Sequence, residues 1–551
     1  MMRKKYLSFI FIFHLPFLMG DVSAYNGQNL LNDAVFERYL PLIMFFRNME
    51  HSTGTVPVNL AVSPAVTEMM SKGSFRRGFE KYADDFARTL SGDMKFFAEH
   101  GKRRLVRAAE YWLDRLDAMI SLYSDIDGDI VSEFGKLGGR GLELMATTAT
   151  RNCIPLISSD VEFRAQIRLG LKSFEETFGY APHGFWLPSA RDISATYCEK
   201  RPADGTERTD RVTEILADSG IRYFLAQSHY RTAMSMPNTD RNTSGEKNTH
   251  SEVPRDLTSE IQIQVIPPRQ GSGTGRRSII LFEADSENED LTFPVAGFRK
   301  ELPEYLNTAR RTFPGSIRYW NNTDGSDDLE ECNAYGYETA EALASEQSAI
   351  FLNVVRSGAL GADRELTIIP IYTMFSGEHW HEAPLWIEKL FLNIDASGVK
   401  PTTVSDYLKM SKPAMTDAKA DIVRYGEYAF SMLYNMNSEQ ILRRLHETEA
   451  RFETVLTEGS RSGGAELNRR VLKQMARELL ILQGSDLQLL ISENRHGEYA
   501  NRTVLHHLEQ FDRLAEMWKS ADISVDMVKE LEMIERNDDL FSSIDLSLWK
   551  Q

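Results

Sequence analysis

Two short stretches place side chains with acid–base capacity close to the ends of apolar, strand-like runs. Gly184–Ser189 reads GFWLPS and is followed three residues later by Asp192. Tyr372 follows a second apolar run and precedes Glu378 by six residues, while Glu283 follows a third run. Acids at the carboxyl ends of parallel strands share one edge of a sheet, so two of them could act as a general acid and a base. Such acids are usually no more than solvated loop carboxylates, and only their geometry would make them catalytic.

No metal and no other cofactor is predicted from these stretches. His379 and His381, taken with His14, are the histidines that would suggest a metal site. No carboxylate accompanies them at the i, i+4 spacing that helical metal motifs use, so the pattern argues against one. The three cysteines lie far apart and form no C-x-x-C pair, which argues against a zinc, redox or disulfide site.

The composition sets the broad class of the protein. A chain of 551 residues with 42% hydrophobic and 26% charged residues can form two or more folded domains. Its net charge of −17 argues against nucleic acid or an anionic membrane as the main partner. An acidic surface is compatible with a neutral polymer as partner, although it does not indicate one.

The N-terminus allows two interpretations. Basic residues 3–5 precede the apolar run Tyr6–Met19, and Val22–Ala24 offers a small-residue cleavage site, which is the pattern of a secretory signal peptide. The same run fits the buried first strand of a parallel barrel. We favour the strand, and with it a cytoplasmic protein, because cleavage would delete part of the core. Export through residues 1–24 is the alternative.

Strand-like and helical patterns alternate along the chain up to about residue 400, which predicts an α/β fold with a parallel sheet closed or nearly closed by helices. From about Thr403 the strand signals vanish, and helical spacing predicts an all-helical C-terminal domain. We therefore divide the chain into residues 1–405 and 406–551. The polar stretch 231–260 inside the first part is predicted to be a long exposed loop.

Several ordered motifs resemble glycoside hydrolase family 57, whose members cleave and transfer α-glucans. Gly184–Ser189 is similar to the family's nucleophile motif, in which a Glu stands at the position of Ser189. Residues 370–384 are similar to the acid/base motif, in which an Asp stands at the position of Tyr372. The resemblance implies a distorted (β/α)7 barrel followed by a helical domain. Segments of the helical part, among them Gln483–Asp486, are similar to the family's α-1,4-glucan branching enzymes.

The same resemblance implies which side chains would contact a sugar. Trp186 and Trp380 lie inside the two motifs, where an indole face could stack on a pyranose ring. His14 occupies the second histidine position of the family's first strand end, and His229 falls near another family histidine. A hydrogen-bonded core histidine is an equally good interpretation of His14.

Both catalytic carboxylates of the resembled family are replaced in this chain. Retaining glycosidases and transferases need two carboxyl groups about 5–5.5 Å apart. Ser189 is a weak nucleophile without a base beside it, and a phenol such as that of Tyr372 ordinarily has a pKa of about 10. The leading hypothesis is therefore a degenerate glucan-binding homologue that acts by holding glucan or by pairing with an active relative.

Two other hypotheses remain open. Asp192, Glu283 and Glu378 could supply a relocated pair of carboxylates, in which case the chain would be an active α-glucan branching or hydrolysing enzyme. Alternatively, the chain could be a structural or interaction protein without a sugar role.

Overall fold

The fold is built from a parallel sheet, the helices that cover it and a helical C-terminal segment. The computed structural model describes residues 5–17, 27–153, 156–188, 208–228, 264–266, 279–285, 319, 337–357, 366–373, 383–394, 397–411, 436–458, 465–492, 497–520 and 524–550. The predicted loop at 231–260 lies outside these residues.

Strands and helices alternate through the first part of the chain, as the sequence pattern predicts. In chain order the elements are β1 (Lys5–Phe13), α1 (Gly27–Ala34), a π-helical turn (Val35–Tyr39), α2 (Leu40–Thr53), β2 (Asn59–Val62), α3 (Pro64–Ser71), α4 (Gly73–Glu99), α5 (Arg103–Asp125), α6 (Ile130–Gly138), β3 (Glu143–Thr147), α7 (Asp160–Phe178), β4 (Gly184–Leu187), α8 (Arg208–Asp218), β5 (Tyr223–Ser228), β6 (Gln264–Ile266) and β7 (Ile279–Asp285). They continue with α9 (Tyr337–Ser357), β8 (Leu366–Thr373), α10 (Ala383–Asn393), β9 (Val399–Pro401) and α11 (Val404–Met410).

The described residues after 436 are helical, which confirms the prediction of a helical C-terminal part. Its elements are α12 (Glu439–Glu458), α13 (Ala465–Leu482), α14 (Ser485–Ser492), α15 (Gly497–Lys519), α16 (Val525–Asn537) and a 3-10 turn (Leu546–Trp549). The boundary between residues 405 and 406 stays a prediction. Of the helices in the described ranges, none is both long enough and apolar enough to cross a membrane.

Seven strands form one parallel run in the order β7-β5-β4-β3-β2-β1-β8. The short strand β6 joins β7 in antiparallel fashion, and β9 pairs with the first residues of β1. The predicted distorted barrel is confirmed as the architecture, with β7 and β8 at the two ends of the parallel run. Because these strands run the same way, their carboxyl ends meet at one edge of the sheet.

The first strand lies between β2 and β8, and both of its faces are buried. Phe9, Phe11 and Phe13 pack in the core layer under the helices, whereas Ile10 and Ile12 pack inside the barrel. This follows from the two-residue repeat of a strand, which sends successive side chains to opposite faces. Burial on both faces explains why the N-terminal run is apolar throughout, and the prediction of a strand there is confirmed.

Buried polar contacts close the amino ends of the strands. Tyr223 donates a hydrogen bond from its hydroxyl to Glu143 Oε1 at 2.5 Å, and the backbone N–H of Ser405 donates to Glu143 Oε2 at 2.9 Å. Asn59 donates to Ser8 Oγ at 2.6 Å and accepts from the N–H of Val404 at 3.2 Å. These contacts hold α11 beneath the amino ends, so the polar groups there are engaged in structure.

Two helices that the sequence pattern predicts to be continuous are broken in the structure. The predicted helix 96–123 divides between α4 and α5, where Gly101 adopts a φ of +70°. The predicted helix 465–490 divides between α13 and α14 at Gln483 and Gly484. Apolar periodicity continues across both breaks, because the helices on either side bury faces of their own, and so periodicity alone did not reveal them.

Close contact between α7 and β3 requires a glycine. A Cβ atom on Gly170 would lie 2.0 Å from the carbonyl oxygen of Thr147, at the carboxyl end of β3. Because Gly170 has no side chain, the backbone of α7 packs directly against the end of β3, which carries part of the candidate site.

We expect Gly170→Ala to lower the free energy of unfolding by about 1–3 kcal/mol or more, because the backbone of α7 must move away from Thr147. Gly92→Ala, in the exposed middle of α4 with no atom within 4 Å of its Cβ, is the matched control and should stabilise by about 0.5–1 kcal/mol. Urea unfolding of both variants measures this. A Gly170 variant as stable as the wild type would contradict the close contact.

Candidate active site at the strand ends

The carboxyl ends of β1, β2 and β3 bring three loop segments together. His14 directly follows β1, and Ser63 directly follows β2. Because Phe13 pairs with Val62 in the ladder, the two following side chains lie side by side, and His14 Nδ1 is 2.8 Å from Ser63 Oγ. Arg151 follows β3 on the same edge.

A carboxylate from the helical part completes this group. Asp486 Oδ2 lies 2.6 Å from His14 Nε2, and its Oδ1 lies 2.7 Å from Arg151 Nη1. The side chains of His14, Arg151 and Asp486 are 6%, 12% and 7% exposed. The group is therefore a buried charge cluster that joins three distant parts of the chain, and we call it the strand-end cluster.

The break at Gly484 is what allows Asp486 to reach the strand ends. It starts a new helix, α14, and places Asp486 in the first turn, where the helix dipole favours a negative charge. Ser485 Oγ accepts a hydrogen bond from the N–H of Cys153, which anchors this helix start to the loop after β3. Sequence, local turn and tertiary contact thus converge on one carboxylate.

Electrostatics keep Asp486 ionised. Burial alone would raise its pKa, but the charges and hydrogen bonds of His14 and Arg151 lower the pKa to about 2. Burial lowers the pKa of His14 below its ordinary value, against the opposing pull of Asp486. The consistent state at neutral pH is a neutral imidazole that donates from Nε2 to Asp486 and accepts from Ser63, beside an Asp486–Arg151 ion pair.

The backbone of Arg151 is held in a strained conformation. Its φ is +50°, in the left-handed region that residues with a Cβ rarely adopt. Strain of this kind costs about 1–3 kcal/mol and persists where surrounding contacts fix it. Here the ion pair with Asp486 is such a contact, since it holds the guanidinium of Arg151 over α14.

A second buried network fastens the helical part to α7. Gln166 Nε2 donates to Gln483 Oε1 at 2.9 Å, and Gln483 Nε2 donates to Glu449 Oε1 at 3.0 Å and Glu162 Oε2 at 3.2 Å. Burial raises the pKa of Glu162 and of Glu449, and the charge of Glu449 raises that of Glu162 further. These carboxyl groups lie between helices and serve the packing of the helical part against the barrel.

Comparison with known proteins finds two family models in the chain. Residues 8–256 match the family model described as Glycosyl hydrolase family 57, and residues 444–549 match the model described as 1,4-alpha-glucan branching enzyme, C-terminal. The two matched ranges together span more than half of the chain.

The chain is a homologue of glycoside hydrolase family 57 through residues 8–256.

Relatives of the chain are similar along nearly its whole length. The 1,4-alpha-glucan branching enzyme TK1436 of Thermococcus kodakarensis is 25% identical over 557 residues, which cover 98% of this chain and 78% of the relative. A GH57-type branching enzyme from Pyrococcus horikoshii has a similar structure, with a TM-score of 0.78, 22% identity and coverage of 99% and 97% of the two chains. The alpha-amylase AmyC from Thermotoga maritima gives a TM-score of 0.75 at 20% identity, covering 100% and 99%.

Most of the site residues predicted from the family 57 motifs fall beyond the part of the chain that the structure describes. β4 ends at Leu187, and the residues that lie outside the described ranges are Ser189, Asp192, His229, Glu378 and Trp380. Their catalytic or binding roles stay predictions.

Tyr372 and Glu283 are placed by the ladder of the sheet. Tyr372 is the penultimate residue of β8, and its Cα pairs with Ile12 in β1, two residues before His14. Glu283 lies within β7 and pairs with Ala226 in β5. Tyr372 therefore lies at the carboxyl end of a strand next to the strand that His14 follows, and its assignment to the acid/base position stays a prediction.

The structure gives His14 and Trp186 packing positions. Both ring nitrogens of His14 have partners inside the protein, which is the hydrogen-bonded core histidine of the second interpretation. Trp186 is 1% exposed and packs inside the barrel with Met145 and Leu225. Its burial is that of a core side chain, and a stacking role of Trp186 stays a prediction.

Uncharged polar groups without a hydrogen-bond partner lie at and after the end of β3. The hydroxyls of Thr147 and Thr148 and both amide atoms of Asn152 are buried and have no partner in the described structure. Leaving such groups unsatisfied costs free energy, and they supply the neutral donors and acceptors that bind hydroxyl groups.

Sequence reasoning missed the role of Asp486 and Arg151. Asp486 lies in a segment similar to the branching enzymes, but 335 positions separate it from Arg151 in the chain, so no spacing rule brings the two together. A usable signal was the Gly484–Asp486 string inside a helical pattern, because a glycine followed by Ser and Asp marks a helix start.

We expect Asp486→Asn to lower the free energy of unfolding by about 3–5 kcal/mol, because it removes one charge of a buried ion pair with Arg151 and weakens the hydrogen bond with His14. Asp512→Asn is the matched control: Asp512 pairs with Arg451 at 2.5 Å, but both side chains are nearly half exposed, so the loss should be below about 1 kcal/mol. Chemical denaturation followed by circular dichroism measures both. Equal losses in the two variants would show that burial does not strengthen the strand-end cluster.

The strand-end cluster should also make stability depend on pH. Because the pKa of folded His14 is lowered, its contribution is full above the unfolded value near 6.5 and is lost as pH falls below it. Between pH 7.5 and 5.5 the wild type should therefore lose up to about 1.3 kcal/mol more than His14→Gln.

The other histidines contribute equally to the pH dependence of the wild type and of His14→Gln. They include His507. Burial lowers its pKa, but the hydrogen bond and charge of Glu478 outweigh burial and raise the pKa overall, so the contribution of His507 to stability changes with pH in the opposite direction. His51→Gln, at an exposed site on α2, is the control for histidine removal. Identical pH slopes for wild type and His14→Gln would contradict a neutral, buried His14.

Proposed function

We propose that this family 57 chain binds α-glucan without breaking or forming glycosidic bonds. It would act by holding glucan or by pairing with an active relative that carries the chemistry. The observation that carries the proposal is the pair of neutral residues, Ser189 and Tyr372, at the two positions where the family's motifs have carboxylates.

Loss of both groups removes two catalytic contributions at once. A serine without an adjacent base is a weak nucleophile, and a phenol holds no negative charge at neutral pH in its ordinary state. Covalent catalysis and general acid catalysis each normally lower the activation free energy of the reaction by several kcal/mol. Together these losses favour an inert site.

The strand-end cluster offers no ready replacement. Asp486 is ionised with a pKa of about 2, so it is a poor proton donor at neutral pH. Both of its oxygens already accept hydrogen bonds, from His14 and Arg151. A carboxylate held in this way is suited to joining two parts of the structure and not to attacking a sugar carbon.

Binding is supported by the relatives and by the uncharged groups near β3. TK1436 and the Pyrococcus horikoshii protein are described as branching enzymes, one of them as a 1,4-alpha-glucan branching enzyme. The unpaired Thr147, Thr148 and Asn152 groups are neutral, as a ligand rich in hydroxyls requires. Because these groups are buried, a ligand would reach them only if the segments of the protein packed over them moved aside.

Purified full-length chain incubated with amylose tests the proposal. We expect retardation in affinity electrophoresis through amylose, with no new reducing ends and no α-1,6 linkages. Turnover that Asp192→Ala, Glu283→Ala or Glu378→Ala abolishes would establish the relocated-carboxylate enzyme instead. Absence of both turnover and retardation would favour a protein without a sugar role.

A pair of threonine variants separates ligand contacts from folding contacts. Thr148→Val removes a hydroxyl without a protein partner, so stability should be unchanged or higher while amylose binding weakens about 5–10-fold. Thr150→Val removes a hydroxyl that donates to the carbonyl of Leu480 at 2.9 Å, so stability should fall by about 1 kcal/mol while binding persists. Wild-type affinity in Thr148→Val would remove this threonine from the binding site.

A further inference from the structure

A group of metal-binding side chains lies in the helical part, away from the strand ends. His506 and His507 on α15 and Asp538, directly after α16, place one ligand atom each within 4.8 Å of one another. Asp538 Oδ2 is 3.8 Å from His506 Nε2 and 3.8 Å from His507 Nδ1. These distances exceed a hydrogen bond, so the three groups face one another without a direct bond.

Asp538 is the feature of this group that most needs explanation. It is 1% exposed, and within the described structure neither of its carboxylate oxygens has a hydrogen-bond donor. A buried carboxylate without donors is costly, because the water it gave up is not replaced. A cation bound between Asp538 and the two imidazoles would compensate for that lost hydration.

The surrounding contacts hold these side chains in position. The backbone N–H of Asp538 donates to Ile534 at 2.8 Å, and its carbonyl accepts from Gln474 Nε2 at 2.9 Å. Glu478 on α13 is fully buried and accepts a hydrogen bond from His507 Nδ1 at 2.7 Å. A carboxylate that orients a histidine ring in this way is the usual neighbour of a metal-binding histidine. With Nδ1 donating to Glu478, His507 would bind a cation through Nε2, so the 3.8 Å from Nδ1 to Asp538 measures how close the two residues lie and not a distance between two ligand atoms.

We propose that His506, His507 and Asp538 bind a divalent transition-metal ion of the zinc class. Two imidazoles and one carboxylate match the ligand preference of zinc, whereas calcium and magnesium prefer oxygen ligands throughout. The ion would fasten α15 to the end of α16. His506 is 27% exposed, which gives the ion a route to the buried pair and gives the ring freedom to close the 3.8 Å gap.

Zinc binding by full-length chain tests this assignment. Protein purified without a histidine tag and treated with a chelator should bind one Zn2+ per chain by titration calorimetry, with a rise in Tm. Co2+ in place of Zn2+ should give the visible absorption of tetrahedral coordination. The experiment needs no glucan and no enzymatic activity.

Two variants and one control make the result decisive. His506→Gln, at a partly exposed position, should keep the fold and weaken Zn2+ binding at least about 10-fold. Asp538→Asn should keep or raise the Tm of the metal-free protein, because it removes an unpaired buried charge, and should lose the Tm response to Zn2+. His100→Gln, an exposed histidine outside the group, should bind Zn2+ as the wild type does.

The same measurements can reject the proposal. A wild type that binds no stoichiometric Zn2+, together with a lower Tm in metal-free Asp538→Asn, would mean that a protonated histidine balances Asp538. Unchanged Zn2+ affinity in both His506→Gln and Asp538→Asn would mean that the ion binds elsewhere.

Discussion

The ionised carboxylate of Asp486, buried between Arg151 and His14, is the contact on which the arrangement of the strand ends depends. A buried charge tolerates few positions, because it must remain close to its counter-charge and its hydrogen-bond donors. That requirement fixes the start of α14 against the loop after β3. It also occupies one ring nitrogen of His14, at the end of β1, in a hydrogen bond. Arg151, on the other side of the carboxylate, has a left-handed backbone conformation.

This cluster has a direct bearing on chemistry. In a glycosidase the strand ends must present carboxylates whose protonation can change during the reaction. Asp486 is instead ionised at neutral pH, with hydrogen-bond partners on both oxygens. A charge cluster of this kind stabilises a single arrangement of barrel and helices.

Other buried polar groups of the fold hold helices in place. At the amino ends of the strands, Glu143 and its partners hold α11, and between α7 and the helical part, Gln483 joins two buried glutamates. Within the described residues the side chain of Asp538 has no hydrogen-bond donor, in contrast to Glu143, Glu162 and Glu449. The helical part thus carries the carboxylate of Asp486, which joins it to the barrel, and the carboxylate of Asp538, which has no donor among these residues.

The sequence by itself indicated the fold class, because continuous apolar runs such as β1 suit strands that are buried on both faces and because their alternation with helices is typical of a parallel sheet. It also determined which residue types, Ser189 and Tyr372, stand in the two motifs, and their catalytic meaning stays a prediction. Only the tertiary structure decided which polar groups meet. His14 and Asp486 are 472 positions apart, and His507 and Asp538 face each other only through helix packing. No local pattern encodes such distances, because they arise when separate helices and strands bury their apolar faces against one another.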